Sequence, residues 1–211
     1  MASVIVSSPP PGWDRPELDH LLSLVPPGQL SEIVGSRSSG ATSLLVALLA
    51  RATAGGGFVA LVDAADAFDP AGAAAARADL STLLWVRCGG RLEAAFRAVD
   101  LLARCPGFAV VALDLEGLSG GYRACASAGR WVRLSRAVRG SETVLVARTP
   151  EHLTGSAAAL VLAAGRGRPR WIGALRPTRL GGLVSSVQVL RARPPLPPPF
   201  PEGLSSILWE P

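Results

Sequence analysis

Glu32 to Leu44 reads EIVGSRSSGATSL, with Gly35 and Gly40 flanking four residues and Ala41, Thr42 and Ser43 following. Glycines at this spacing let backbone N–H groups converge on phosphate oxygens at a helix N-terminus, while a lysine neutralises the outer phosphates and a hydroxyl holds magnesium. The hydroxyls are present, but the lysine place holds Ala41. Asp114 ends the apolar run FAVVALDL and is placed like the acid that holds a metal's water shell. The structural alternative for Asp114 is a cap on the next turn. These residues outline a nucleotide site that lacks its main cation.

The loop needs a strand before it and a helix after it, and the pattern supplies both. Leu30 to Val34 reads as a strand, and Ala41 to Ala52 as a helix apolar almost all round, the mark of burial against a sheet. FVALVDA and FAVVALDL read as fully buried strands. AAAARADLSTLLWVR reads as a helix leading into a short strand, and RLEAAFRAVDLLARC as a helix. After the helix GRWVRLSRAVRG come TVLVAR, ALVLAAG, WIGAL and LVSSVQVLR, four strands with little helix between them. This order predicts an α/β fold with a mostly parallel central sheet flanked by helices, and antiparallel strands added at its C-terminal side. The expected divisions are residues 1–29, a segment with a short helix; 30–193, the main domain; and 194–211, a proline-rich tail.

At 211 residues the chain can bury one sizeable core. No apolar run approaches the roughly 20 residues that span a bilayer, and MASVIVSSPPPGW does not read as an export signal, so a cytoplasmic protein is expected. Cys88, Cys105 and Cys125 are widely spaced, and His20 and His152 have no metal spacing, which gives neither a disulfide framework nor a metal site.

The chain holds no lysine, so every side chain that is positive at neutral pH with histidine neutral is arginine. Residues 1–119 hold 8 Arg against 12 acids, and residues 120–211 hold 13 Arg against 4. The basic half is a candidate surface for DNA or a partner: Arg123, the helix face of Arg130, Arg133, Arg136 and Arg139, and Arg166, Arg168 and Arg170. The alternative is a solvated arginine face, and Trp131 is better explained by the core than as a stacking platform. In the tail, Phe200, Leu204, Ile207, Leu208 and Trp209 form an apolar set beyond a polyproline spacer, read as a segment offered to a partner groove rather than folded back.

GQLSEIVGSRSSGATSL, then LVDAADAFDPAGAAAARADLSTLLWVR, then FAVVALDL resemble the core of the RecA recombinase superfamily, with DAADAFDP the most distinctive element. Within it the chain looks closest to the ImuA family, RecA-like accessory proteins of bacterial mutagenic translesion synthesis, sometimes labelled SulA-like. The resemblance implies a RecA-like core and a role in DNA-damage tolerance. It implies as partners an ImuB-like polymerase-fold subunit, an error-prone C-family DNA polymerase complex and, as a further candidate, RecA itself, with DNA contact weak or indirect.

Carried over residue by residue, the resemblance puts the loop lysine on Ala41 and the glutamate that activates water on Ala65, with Asp66 beside it pointing elsewhere. The residues that sense the outer phosphate fall near Thr149 and Pro150, and RTPEHLTG is too short for a long DNA-binding loop. The expectation is a non-enzymatic assembly subunit that uses no cofactor. The rivals are a RecA-type ATPase with unusual phosphate contacts, Arg37 among them, and a SulA-like cell-division inhibitor.

Overall fold

The computed structural model describes residues 16–118, 126–165, 168–172, 179–195 and 204–208. Its elements are α1 (Pro16–Ser23), β1 (Leu30–Val34), α2 (Ala41–Ala54), β2 (Phe58–Asp63), α3 (Pro70–Ala75), a 3-10 turn (Leu80–Thr82), β3 (Leu83–Arg87), α4 (Leu92–Ala103), β4 (Phe108–Asp114), α5 (Ala128–Ala137), β5 (Val144–Thr149), β6 (Leu160–Ala164), β7 (Arg168–Ile172), β8 (Arg179–Ala192) and β9 (Leu204–Leu208).

Six strands form a parallel sheet in the order β3-β2-β4-β5-β1-β6. β8 joins β6 antiparallel, and β7 and β9 join β8 antiparallel. The central strands are apolar on both faces because both are covered. Ala60, Val62, Val111, Leu113, Leu145 and Ala147 face α4 and α5, where Phe96, Val99, Trp131 and Leu134 complete one core. Their neighbours Val59, Leu61, Val110, Ala112 and Val146 face the other way, onto Leu44, Leu45, Leu48 and Leu49 of α2. The period-two alternation thus splits each strand between two cores.

From the segment before residue 30, Leu21, Leu22 and Val25 are buried in the α2 core. Two expectations change. The helix expected through residues 73–82 ends at Ala75, because Arg77 turns left-handed at φ 67° and Asp79 caps a new 3-10 turn through the Ser81 amide at 2.9 Å. The tail differs most. Leu204–Leu208, expected to be offered to a partner, is hydrogen-bonded along β8, with Val187 opposite Leu204 and Val184 opposite Leu208. A strand with an open edge recruits an extended segment of its own chain as readily as a foreign one. Phe200 and Trp209 lie outside the described residues.

Candidate functional site

The glycine loop sits where β1 ends and α2 begins, at the carboxyl ends of the parallel strands, where ligands of open α/β sheets bind. Gly35 N donates to Thr149 O at 2.9 Å, which ties the loop to the end of β5. Gly40 caps α2 with φ 92°, and a Cβ there would lie 2.5 Å from Ser185 Oγ of β8. Gly40 is therefore required by the left-handed turn and by the close passage of β8. Ser39 is buried and its Oγ accepts from Ala41 N at 3.3 Å, so one amide expected to face phosphate is bonded within the loop. A Cβ on Gly35 would meet the same Oγ at 2.2 Å and the Ala41 Cβ at 2.8 Å, so these small side chains fill the inside of the turn.

The hydroxyl and acid of the expected site are brought together, but through residues that the sequence pattern did not single out. Thr42 Oγ1 donates to Glu116 Oε2 at 2.5 Å. Arg148, at the end of β5 in register with Asp114, is 1% exposed. Its Nη2 contacts Glu116 Oε2 at 2.5 Å, and its Nη1 lies 3.8 Å from Asp114 Oδ1. The guanidinium thus leans on Glu116 and only partly compensates Asp114. Burial pushes the Asp114 carboxyl up to about 6, against the opposing pull of Arg148 and of the Glu116 amide, which donates to Asp114 Oδ1 at 2.8 Å. Beside this cluster opens a cleft of about 230 Å³, lined by Gly35, Arg37, Glu116, Gly117, Arg148 and Pro150.

The aspartate-rich turn after β2 is built on Asp63. Its carboxylate accepts from Ala67 N and Phe68 N at 3.0 and 2.9 Å and from Trp85 Nε1 at 3.1 Å. Asp66, left-handed at φ 58°, turns to Arg87 and to the Gly89 amide, each at 3.1 Å, so it does point elsewhere. Ala65 Cβ lies 3.1 Å from where a Cβ on Gly117 would be, so this wall of the cleft carries no carboxylate from residue 65.

Thr149, expected near the outer phosphate, gives its hydroxyl to Glu32 Oε1 at 2.8 Å. Glu32 is fully buried in β1 and also accepts from Leu153 N at 2.8 Å, Thr154 Oγ1 at 2.6 Å and Thr154 N at 3.4 Å, with His152 Nδ1 at 2.6 Å. The short segment after β5 is folded around this one carboxylate.

Of the arginine face, Arg130 pairs with Glu93 at 2.7 Å and Arg133 with Asp100 at 2.6 Å, both acids on α4. Arg133 first, and Arg104 after it, hold Asp100 down at about 2. Arg136 and Arg139 stay exposed, Trp131 is fully buried against Phe96, and Arg123 and Arg166 lie outside the described residues, as do the side chains of Arg168 and Arg170. No group of three or more potential metal ligands occurs among the described residues, and no helix among them is long and apolar enough to cross a membrane.

A parallel sheet with a glycine loop after β1, an aspartate turn after β2 and an acid at the end of β4 defines a RecA-like α/β core. The comparisons agree: residues 18–117 match the RecA N-terminal domain family. The chain is 40% identical to Protein RecA of Thermosynechococcus vestitus over 90 residues, 43% of this chain and 25% of that protein. Against Protein RecA of Thermus aquaticus it is 39% identical over 90 residues, 43% and 26% of the two chains. Against that of Chlorobaculum tepidum it is 37% identical over 99 residues, 46% and 28%. The matched stretch thus spans about a quarter of the length of these relatives.

Arg148 and Glu32 were missed because each matters through a partner distant in sequence. The available signal was a charged residue inside an otherwise apolar strand, LSEIV or TVLVAR, which must find a buried counter-charge or hydrogen bonds.

Proposed function

We propose that this chain is a non-hydrolysing RecA-like assembly subunit for DNA-damage tolerance, of the ImuA type, that supports mutagenic translesion synthesis. The observation that carries the reading is the Arg148 guanidinium lodged on Glu116 and beside Asp114. Magnesium triphosphate needs a lysine at the loop, a free hydroxyl and an ionised acid for the metal's water shell. Here Ala41 holds the lysine place, the Thr42 hydroxyl is engaged by Glu116, and an arginine takes the ground that a metal's charge would occupy. These residues do not fit magnesium triphosphate. An internal cation neutralises the acids and leaves a RecA-like body whose surfaces remain available to an ImuB-like polymerase-fold subunit, an error-prone C-family polymerase complex or RecA.

Calorimetry with Mg-ATP and Mg-ADP tests the nucleotide half of the reading, and the expected result is no saturable heat up to millimolar nucleotide. Micromolar binding with turnover lost in Asp114→Ala overturns it in favour of an ATPase. Pull-down with the polymerase-fold and C-family partners tests the assembly half. Capture of a tubulin-like division protein instead replaces it with the inhibitor reading.

A further inference from the structure

At the opposite end of the sheet from the glycine loop, a groove of about 670 Å³ opens between the C-terminal end of α5 and the segments that lead into β1, β5 and β6. Its frame is built from backbone hydrogen bonds: Gly28 N to Thr143 O at 2.9 Å, Ala159 N to Leu30 O at 2.8 Å and Arg193 N to Ala159 O at 2.9 Å. Gly28, at φ 68°, passes so close to Ser141 that a Cβ would lie 2.7 Å from its carbonyl oxygen. The lining is small and more polar than apolar, with Val132, Ala157 and Ala159 beside Ser141 and Ser156, while Leu30 and Ala158 are buried beneath it.

Arg136 on α5, Arg139 just past its end and Arg193 after β8 line the groove, and none has a carboxylate partner among the described residues. Among the described residues, Glu142 is the lone acid in the lining. One turn back along α5 the positive charge ends, because Arg130 and Arg133 are spent on Glu93 and Asp100.

We infer that this groove is a docking site for a short acidic segment of a partner protein, its carboxylates held by Arg136, Arg139 and Arg193 and its small apolar side chains seated against Ala157 and Ala159. Guanidinium forks match carboxylates bidentately. A nucleic acid fits less well. Its backbone calls for an extended basic track and its bases for aromatic platforms, whereas the charge here is confined and the lining holds no aromatic side chain among the described residues. The site is independent of whether the glycine loop binds nucleotide.

Fluorescence anisotropy on the full chain tests it, with a labelled peptide alternating Glu and Ala, its Gln-for-Glu counterpart and an oligo-dT of equal net charge, at about 0.15 M salt. Saturable binding of the Glu peptide is expected, weakened about tenfold by Arg136→Glu/Arg139→Glu and by the groove-filling Ser156→Trp, and unchanged by Arg37→Glu at the other end of the sheet. Thermal melting confirms that the variants fold. Equal binding of the Glu and Gln peptides, tighter binding of oligo-dT, or indifference to Ser156→Trp overturns the assignment.

Discussion

Arg148 and Asp114 stand side by side in register on adjacent parallel strands, yet the guanidinium makes its closer contact, 2.5 Å, with Glu116 and stays 3.8 Å from Asp114. One buried cation therefore serves two acids unequally. Removing it leaves both without a counter-charge, and breaking a buried pair from one side costs more than the pair itself contributes. Arg148→Met is expected to lower unfolding free energy by about 3–5 kcal/mol in urea titrations at neutral pH. Part of that loss is recovered at acid pH, where the abandoned Asp114 carboxyl protonates. A loss that is the same at both pH values means that the arginine acts through packing alone.

Two aspartates shape the acid limb of stability in opposite senses. The folded Asp114 carboxyl, at about 6, lies above its ordinary value of 3.8, so the folded state binds the proton more tightly and stability falls as pH rises from about 4 to 6. The folded Asp100 carboxyl, at about 2, lies below 3.8, so its contribution is present above about pH 4 and is lost as pH falls toward 2. Asp114→Asn is expected to flatten the upper window and Asp100→Asn the lower one, read from chemical denaturation at stepped pH. An Asp114→Asn profile that keeps the slope between pH 4 and 6 assigns it to another group.

What was legible in the sequence was local. Strand, glycine loop and helix announce themselves within the stretch around Gly35 and Gly40, and the buried strands announce themselves by unbroken apolar runs. The pairing of Arg148 with Glu116 depends on β4 lying beside β5, and the five contacts of Glu32 join β1 to a segment more than a hundred residues later. Neither adjacency leaves a mark at the residue itself beyond a charge in an apolar strand. The return of Leu204–Leu208 to β8 is likewise a property of an available edge, which the tail's composition does not encode.

Restoring the missing lysine isolates what closes the loop. Ala41 is 1% exposed, and a lysine placed there leaves Arg148 on the carboxylates that a magnesium shell would use. Ala41→Lys alone is expected to lower the melting temperature and to give no Mg-ADP binding by calorimetry. Ala41→Lys/Arg148→Gln removes the internal cation and is expected to bind Mg-ADP at least about tenfold more tightly than the single variant. Micromolar binding by the single variant shows instead that the absent lysine was the whole obstacle.

Glu32 offers the sharpest separation of scaffold from site, because it bonds neither Asp114 nor the residues that line the cleft yet organises the short segment after β5. Its two oxygens receive Thr149 Oγ1, Leu153 N, Thr154 N and Thr154 Oγ1, besides His152. Glutamine keeps the shape but replaces one acceptor with a donor, which either faces the Leu153 and Thr154 amides, N–H groups with no lone pair, or forces the Thr154 hydroxyl and His152 Nδ1 to turn from donating to accepting. A buried donor left unmatched costs about 1–3 kcal/mol, and more where a charged acceptor is lost. Glu32→Gln is therefore expected to destabilise by about 2–3 kcal/mol, with hydrogen exchange accelerated at Leu153 and Thr154 beyond the global change. Exchange that rises uniformly across the sheet instead assigns Glu32 to the general core and leaves the segment after β5 held by its own turns.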